Sequence, residues 1–552
     1  MDEMDSLLDS LLEQRKGTSV SYIDVRYANV LRLEKVPSRG EGVTTLKALP
    51  VTEPICSLKY PTMMAMDPEF LPTTCYHCLV ITSNPLPLPG YGYTSMDLKT
   101  CNGCHIARFC GRDCQVKSWH AYHKYECKVF KKVQNNLPSS MMRAVLRMVL
   151  LKDRGLVSDE EWDRVIGLDS HEQILAGRGR SNLTDMAETI KHLATSGMSV
   201  TMIQRLIFIM KSNANELPTP IYGGIGVMLD PLIGKLNHSC EPNISIHRPQ
   251  HTMASGWMDS TNLSEDERKT FIQIIPLREI KEGEELLNCY IVPTVAVEAR
   301  RAKLMEDYFF HCECGKCQCD VKAAAQLIES HPDLSAQFGQ WAQKTIRSVP
   351  QQVKKQGGNS LSKAMAAMDH SERFLEHPTL YTTGDYPQIA MRLTLLGLQS
   401  QAFDIALINM LWVYFLVNPQ RFVGGHTPTE IYTIFLLLDI LDGILRISMP
   451  PGVETVDAEK WSKNLTTRGL TLDDLLHWRD RICSDLERRL AGSAAKDLLS
   501  LVEKRKEKRR VSPAQGKDKA QEQSMTNAEA GMRSALRLKE PLWKLALHET
   551  GC

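Results

Sequence analysis

Eight potential metal ligands within residues 75–127 constrain the fold of this chain more than any other feature. They form four closely spaced pairs: Cys75-x2-Cys78, Cys101-x2-Cys104, Cys110-x3-Cys114 and His123-x3-Cys127. Zinc takes four nitrogen or sulfur ligands in a tetrahedron, and ligands at such spacings let one turn of chain supply two of them. The eight residues therefore predict two closed, structural zinc sites. The folding free energy of so small a segment would come largely from the metal.

The remaining cysteines and the N-terminus indicate a reducing compartment. The chain has 16 cysteines, and it starts with the acidic segment Met1-Asp2-Glu3-Met4-Asp5. A secretory signal needs a basic segment there, so no export is indicated. Cysteines in a chain that is not exported favour thiolate–metal chemistry over disulfides. We therefore expect the protein in the nucleus, the cytoplasm or both.

Composition adds two exclusions. The 552 residues are enough for about three or four domains, and 66 Lys and Arg against 65 Asp and Glu leave a net charge of +1. This balance shows no whole-chain signature of nucleic-acid binding. The apolar run at 405–417 is shorter than the roughly 20 residues that a membrane span needs, so it predicts a buried helix. We expect no membrane partner.

A second motif lies at Asn237-His238-Ser239-Cys240-Glu241-Pro242-Asn243, after an apolar segment at 226–233. It brings an amide, an imidazole, a thiol and a rigid proline together. Downstream, Cys312-x-Cys314-x2-Cys317 supplies three thiolates, one fewer than a closed zinc site requires. Cys319 is one candidate for the fourth ligand, and Cys240 is the better one.

Hydrophobic patterns predict a coarse outline of the fold. Helices are expected at 3–16, at 139–152 with Ser140 as its cap, and at 184–211. Strand patterns occur at 22–26, from residue 217 up to the second motif, and at 271–275. Residues 249–268 have the composition of a polar loop, and 321–495 are helical by pattern. Gly40-x-Gly42 follows the first strand pattern, where it indicates either an ordinary turn or a close backbone approach to a ligand.

The metal-ligand segment resembles a MYND zinc finger, particularly at Cys110-Gly-Arg-Asp-Cys114 and His123-Lys-Tyr-Glu-Cys127. The resemblance implies cross-bracing: Cys75, Cys78, Cys110 and Cys114 would hold one zinc ion, and Cys101, Cys104, His123 and Cys127 a second. His120 competes with His123, which we favour because its spacing to Cys127 matches. The segment between Cys78 and Cys101 is longer and richer in Pro and Gly than the family pattern.

Over residues 20–320 the chain resembles the SET-and-MYND family of protein-lysine methyltransferases. The resemblance implies an α+β fold: a split SET β-fold with an inserted MYND finger and a helical insert, a Cys-rich post-SET segment, and an all-α, tetratricopeptide-like C-terminal lobe. The implied segments are an N-terminal helix (1–19), the first SET part (20–74), the finger (75–127), the helical insertion (128–216), the catalytic SET part (217–305), the post-SET segment (306–320), the lobe (321–495) and a charged tail (496–552). The basic run Lys504–Arg510 in that tail is either a nuclear address or a solvated helix end.

The same resemblance implies an active site that uses S-adenosyl-L-methionine, together with three zinc ions. Tyr290 would be the catalytic residue. The implied cofactor-binding residues are Arg39, Gly40, Gly42, Asn213, Asn237, His238, Tyr290 and Phe310. The third zinc ion would be held by Cys240, Cys312, Cys314 and Cys317.

Two departures from the family pattern bear on activity. Glu41 stands between the two glycines where the family has an amide or basic residue, so its carboxylate either repels the cofactor's carboxylate or faces solvent. Cys289 replaces a Ser or similar small residue before Tyr290. Neither change removes a catalytic group.

Two other function classes stay open from the sequence. The first is a scaffold with an inactive SET core that binds proline-containing peptides through the finger. The second, sequence-specific DNA binding, is disfavoured because the mildly basic segment 75–127 lacks a ββα finger pattern. The leading expectation is a monomeric protein-lysine N-methyltransferase acting on a histone or another protein.

Overall fold

A computed structural model describes most of the chain between residues 22 and 495. The described ranges are 22–82, 97–177, 180–218, 224–249, 271–291, 295–348, 384–400, 402–421, 428–448 and 470–495, with isolated positions at 374–380 and beyond 497. The predicted helix at 3–16, all but the first residue of the predicted loop at 249–268, and most of the charged tail lie outside the described residues.

Twelve short strands are formed in the described part of the chain. They are β1 (Leu31–Val36), β2 (Gly40–Thr45), β3 (Cys56–Leu58), β4 (Met63–Met66), β5 (Lys99–Thr100), β6 (Arg108–Phe109), β7 (Asn215–Pro218), β8 (Gly224–Leu229), β9 (Asn237–His238), β10 (Ile244–His247), β11 (Ile272–Pro276) and β12 (Leu287–Asn288). They form β1–β2, β10–β11–β3, β4–β8–β7 and β5–β6, all antiparallel, and the parallel pair β9–β12.

Strands from both sides of the finger pair with each other. β3 pairs with β11, Leu58 lying opposite Ile272, and β4 pairs with β8, Met63 lying opposite Leu229. The finger and the helices after it are therefore an insertion within a sheet fold. This confirms the split arrangement.

The described residues also form fifteen helices. They are α1 (Arg112–Ser118), α2 (Lys124–Lys132), α3 (Ser140–Lys152), α4 (Asp159–Ile166), α5 (Glu172–Gly177), α6 (Arg180–Ala194), α7 (Val200–Asn213), α8 (Val297–Tyr308), α9 (Gly315–Ser330), α10 (Pro332–Ser348), α11 (Tyr386–Gln399), α12 (Phe403–Trp412), α13 (Asn418–Arg421), α14 (Pro428–Ser448) and α15 (Leu472–Leu490). Short 3₁₀ turns occur at Val25–Tyr27, Pro68–Phe70 and Ile233–Lys235, and wider π-type turns at Trp119–His123 and Val413–Val417. The lobe after α8 is helical, as predicted.

Two local predictions were wrong. Residues 22–26 are not a strand, because the Asp24 side chain accepts the Arg26 N–H and starts a 3₁₀ turn. Such side-chain bonds compete with regular pairing. The cap of α3 is Ser139, whose hydroxyl accepts the Met142 N–H. The helical character expected across 184–211 is confirmed by two helices, α6 and α7, and α7 has its own cap at Ser199.

In the described part of the chain, the buried apolar residues fall into three clusters. One joins the SET strands, the finger and α2 to α7 in a common core. A second fills the C-terminal lobe and includes the apolar run at 405–417, which is buried as predicted. The third is small and surrounds Cys240, Val297, Leu304, Cys312 and Cys317. Among the described residues, no helix combines the length and apolar character needed to cross a bilayer.

Candidate active site and metal centres

The cysteines of the second motif and the post-SET segment come together at one point. The Sγ atoms of Cys240, Cys312, Cys314 and Cys317 all lie within 4.8 Å of one another. The Cys240 Sγ lies 3.9 Å from the Cys312 Sγ and 3.5 Å from the Cys317 Sγ. A tetrahedral zinc with Zn–S bonds of about 2.3 Å spaces its sulfurs about 3.8 Å apart. The four residues therefore fit zinc, whereas Cys319 is exposed.

The finger contains two further groups that fit zinc. They are the two cross-braced sets implied by the family resemblance: Cys75, Cys78, Cys110 and Cys114, and Cys101, Cys104, His123 and Cys127. In the second set the His123 Nε2 lies 3.4 Å from the Cys101 Sγ and 3.7 Å from the Cys104 Sγ. His123 occupies this group and His120 does not. Every cysteine in the described part of the chain is free of disulfides.

A buried carboxylate supports the histidine of the second finger site. The Glu126 Oε2 lies 3.9 Å from the His123 Nδ1, and the Arg147 Nε donates to the Glu126 Oε1 at 2.6 Å. Burial opposes the ionisation of Glu126, but Arg147 and His123 outweigh it and lower its pKa to about 2. At 3.9 Å the carboxylate is too far from the ring nitrogen for a hydrogen bond and acts on the histidine through its charge. Arg147 belongs to α3, outside the finger.

The Asn237 side chain is held from two sides. Its Nδ2 donates to the backbone oxygen of Glu41 at 3.0 Å and to the Glu285 Oε1 at 2.7 Å. These bonds use both amide hydrogens, so the acceptor Oδ1 is what Asn237 can offer a ligand. Gly42 makes this arrangement possible, because a Cβ there would lie 2.5 Å from the Glu285 Oε1 and 2.8 Å from the Asn237 Nδ2. Gly40 has a φ of +79°, which favours glycine.

His238 links the motif to the third metal group. Its Nδ1 accepts the Tyr290 N–H at 3.0 Å, so the ring hydrogen is assigned to Nε2, which lies 3.3 Å from the Cys240 Sγ. Burial lowers the pKa of His238 to about 4. A neutral ring with that tautomer can donate toward a thiolate sulfur. The parallel pairing of β9 with β12, in which His238 is opposite Asn288, sets this geometry.

Tyr290 lies in an aromatic group beside the motif. Its hydroxyl donates to the Leu236 carbonyl at 2.5 Å, and its ring centroid is 4.8 Å from that of Tyr308 and 5.2 Å from that of His238. Burial raises its pKa, so the hydroxyl stays protonated. The Phe310 ring is 5.8 Å from the His238 ring. Phe309, which ends α8 with a φ of +63°, turns the chain so that Phe310 reaches this group.

The other residues expected to bind cofactor are placed as follows. The Arg39 Nη1 donates to the Glu285 Oε2 at 3.0 Å. The Asn213 Nδ2 donates to the carbonyls of Asp169 and Ile209, at 2.6 and 2.9 Å, which also leaves its Oδ1 available. The Glu41 carboxylate lies 2.7 Å from the Lys235 Nζ. This ion pair places a positive charge beside the Glu41 carboxylate, which is half exposed.

These residues line one large cleft of about 2570 Å³. Seven of the eight expected cofactor-binding residues are on its wall, namely Arg39, Gly40, Asn213, Asn237, His238, Tyr290 and Phe310. Gly42 lies behind that wall, against Asn237 and Glu285. The cleft extends between the SET strands and the C-terminal lobe, where it is lined by residues such as Leu395, Val417 and Tyr432.

Sequence reasoning missed two side chains of the site. Glu285 holds both Asn237 and Arg39, and Tyr308 packs on Tyr290. Glu285 lies in the Gly283-Glu284-Glu285 run just before β12. A carboxylate at a turn leading into a strand of the site was the available signal.

Comparison with known proteins gives one domain match and several relatives. Residues 75–127 match the model of the MYND finger. The chain is 26% identical over 288 residues to the Schizosaccharomyces pombe "SET domain and MYND-type zinc finger protein 6", covering 52% of this chain and 51% of that protein. It is 27% identical over 238 residues to the Homo sapiens "Histone-lysine N-methyltransferase SMYD3", covering 42% and 51%. It is 25% identical over 238 residues to the Danio rerio "N-lysine methyltransferase SMYD2-A", covering 42% and 50%.

The matched region thus spans about half the length of these relatives. Two of the three are named as lysine methyltransferases, which supports a place in that general class of proteins. The MYND match, the three Cys/His groups and the split SET sheet agree with these relatives. Together these findings support a place for the chain in the SET-and-MYND protein family.

Proposed function

We propose that this protein is an S-adenosyl-L-methionine-dependent protein-lysine N-methyltransferase. The observation that carries the proposal is the convergence of Asn237, His238 and Tyr290 on one cleft wall, fixed from behind by Cys240. The names of the relatives support the reaction class.

The cleft wall fits the two charged ends of such a cofactor's methionine part. The Oδ1 atoms of Asn237 and Asn213 can accept hydrogen bonds from its ammonium group. Arg39, at the rim and 38% exposed, can meet its carboxylate. The flat rings of Phe310 and His238 offer a stacking surface for adenine. When bound, the cofactor supplies an electrophilic methyl group on a sulfonium.

The aromatic group around Tyr290 favours the neutral, nucleophilic form of the substrate lysine. An amine must be neutral to act as a nucleophile, and an apolar environment disfavours the ammonium form and lowers the pKa of a lysine. The rings of Tyr290 and Tyr308 supply apolar walls, and the Tyr290 hydroxyl is held by the Leu236 carbonyl. With the reactants aligned between such walls, positioning supplies most of the rate gain.

The size of the cleft supports a polypeptide substrate. Small-molecule pockets are typically about 300–1,000 Å³, whereas this cleft is about 2570 Å³ and open toward the lobe. An extended protein segment can therefore lie between the SET strands and the lobe while one lysine reaches Tyr290.

The test is transfer of tritium from labelled S-adenosyl-L-methionine to a protein extract by the purified protein. We expect transfer by the wild type and its loss in Tyr290→Phe. Tyr125→Phe is a matched control, because Tyr125 contacts Lys124 and Arg154 away from the cleft. Equal transfer by wild type and Tyr290→Phe would remove Tyr290 from the reaction. No transfer by a wild type that binds a cofactor analogue would favour the scaffold.

One observation favours the scaffold as a second candidate. Val116 and Trp119, three residues apart on the finger, are 40% and 43% exposed and form an apolar surface. Such a surface suits a proline-containing peptide. Loss of captured peptides in Trp119→Ala, with methyl transfer absent in the wild type, would support the scaffold function.

We also propose a reducing compartment, the nucleus or the cytoplasm. The support is that the described cysteines are free thiols, twelve residues of the chain forming three zinc-compatible groups. Disulfides are rare in such compartments.

A further inference from the structure

Arg248 is a buried arginine whose position the proposed reaction does not explain. It follows β10, the strand that begins directly after the Asn237–Asn243 motif. Its side chain has no exposed surface. The Nη2 donates to the carbonyl of Cys78 at 2.9 Å, and the guanidinium lies 5.7 Å from the centroid of the Phe271 ring. The Nε and Nη1 atoms are also buried, and neither has a hydrogen-bond partner among the described residues.

A nearby negative charge stabilises a buried guanidinium. Arginine stays protonated in proteins, and an isolated charge in the interior is very costly. Arg248 forms no ion pair with a described carboxylate, in contrast to Arg147 with Glu126 and Arg300 with Asp320. Its hydrogen bond to the Cys78 carbonyl places the guanidinium beside the first metal-ligand group of the finger, whose four cysteines are thiolates when zinc is bound.

Four thiolates around one Zn²⁺ carry a net charge of about −2, because zinc supplies two of the four balancing charges. We infer that Arg248 is the charge partner of the first zinc centre of the finger, formed by Cys75, Cys78, Cys110 and Cys114. The arginine comes from the SET core and the zinc ligands from the finger. The metal content of this centre and the packing of β10 are then coupled, because once zinc is lost and the four thiolates take up protons, the Arg248 cation is left uncompensated inside the SET core.

Arg143 provides a matched control. It is also almost completely buried, at 1% exposure, and it also has one buried nitrogen without a hydrogen-bond partner among the described residues. Its other donors go to the carbonyls of Pro138 and Met66 rather than to a zinc ligand. Substituting it removes a buried guanidinium without touching the finger's first centre.

The experiment measures zinc release from the full-length, zinc-loaded protein to the chromophoric chelator 4-(2-pyridylazo)resorcinol, with native mass spectrometry to count the ions retained. Partners of metal ligands typically change metal affinity about 10- to 100-fold. We therefore expect Arg248→Met to release one of its zinc ions about 10- to 100-fold faster than the wild type. Arg248→Lys should release it at a rate close to that of the wild type, and Arg143→Met should release zinc like the wild type even if it melts earlier.

Equal release rates for Arg248→Met and Arg143→Met would overturn the inference, since a merely structural arginine predicts that result. If Arg248→Met does not fold, Arg248→Gln against Arg248→Lys decides. Faster release from the neutral variant supports the charge partner, and equal rates refute it. No arm depends on methyl transfer, so the outcome is independent of the proposed function.

Discussion

The finger and the post-SET segment bind metal with similar ligands but in different surroundings. The two finger centres lie in the core shared with the SET sheets, and buried arginines from outside the finger stand behind them. The third centre lies in a small cluster of its own, and one of its ligands, Cys240, belongs to the motif that lines the cleft. Similar zinc ligands can therefore serve two purposes. The finger centres organise a large core, and the third centre positions a site.

The largest effect on stability is expected for Cys104→Ser, which removes a fully buried ligand of the second finger centre. Breaking a buried charged group by removing one partner costs about 3–5 kcal/mol, which lowers the Tm of a large domain by roughly 10 °C. Thermal unfolding and zinc content measure this. Cys56→Ser, a buried cysteine outside the three groups, is the control and should keep all its zinc. A small Tm change in Cys104→Ser would contradict the architectural role of the finger.

Cys314→Ser tests the other half of the comparison. We expect little change in Tm, because the surrounding cluster is small, but a loss of cofactor affinity, because Cys240, His238 and Phe310 lose their common support. A hydrogen bond to a charged group is worth about 1.5–3 kcal/mol, so the Kd should rise about 10- to 100-fold. Calorimetry with S-adenosylhomocysteine measures it. Unchanged affinity would show that the third centre does not position the site.

The Glu285→Gln variant tests whether cofactor affinity also depends on a side chain that belongs to no metal centre. Its carboxylate holds Asn237 and Arg39 at once, and an amide can accept from only one of its two terminal atoms. Losing one net hydrogen bond of about 1–1.5 kcal/mol corresponds to a Kd increase of about tenfold. Glu282→Gln, at an exposed position of the same turn, is the control. If both variants bind alike, the Glu285 carboxylate is not needed to position Asn237 and Arg39 for the cofactor.

The smallest effect is expected for Glu41→Gln. Its ion pair with Lys235 is half exposed on the glutamate side, and such pairs contribute about 0–1 kcal/mol. We expect cofactor affinity to change less than about fivefold. A large gain in affinity would mean that Glu41 repels the cofactor despite Lys235. The charge of Glu41 would then affect cofactor affinity more than the third metal centre does.

The sequence predicted what depends on local spacing. The ligand pairs of the finger, the motif around Cys240 and the Cys312–Cys317 run are each short, so their spacing indicated metal ligands. Which finger residues share an ion was implied by the family resemblance. The sequence did not predict Glu285 with Arg39, whose ion pair joins residues 246 positions apart. It also did not predict the burial of Arg248, because nothing in the sequence distinguishes a buried arginine from an exposed one. Those contacts depend on the register of strands that only the folded chain brings together.

The insertion of the finger between paired strands also fixes an order of assembly. β4 cannot pair with β8 until the chain has been made as far as Leu229, whereas the finger's metal ligands all lie between residues 75 and 127. Contacts that are distant along the chain form slowly, because loop closure costs entropy before the contact is gained. During synthesis, the finger can therefore take up its zinc and become ordered before the sheet around it closes. The strands that line the cleft would then pair beside a finger that is already ordered.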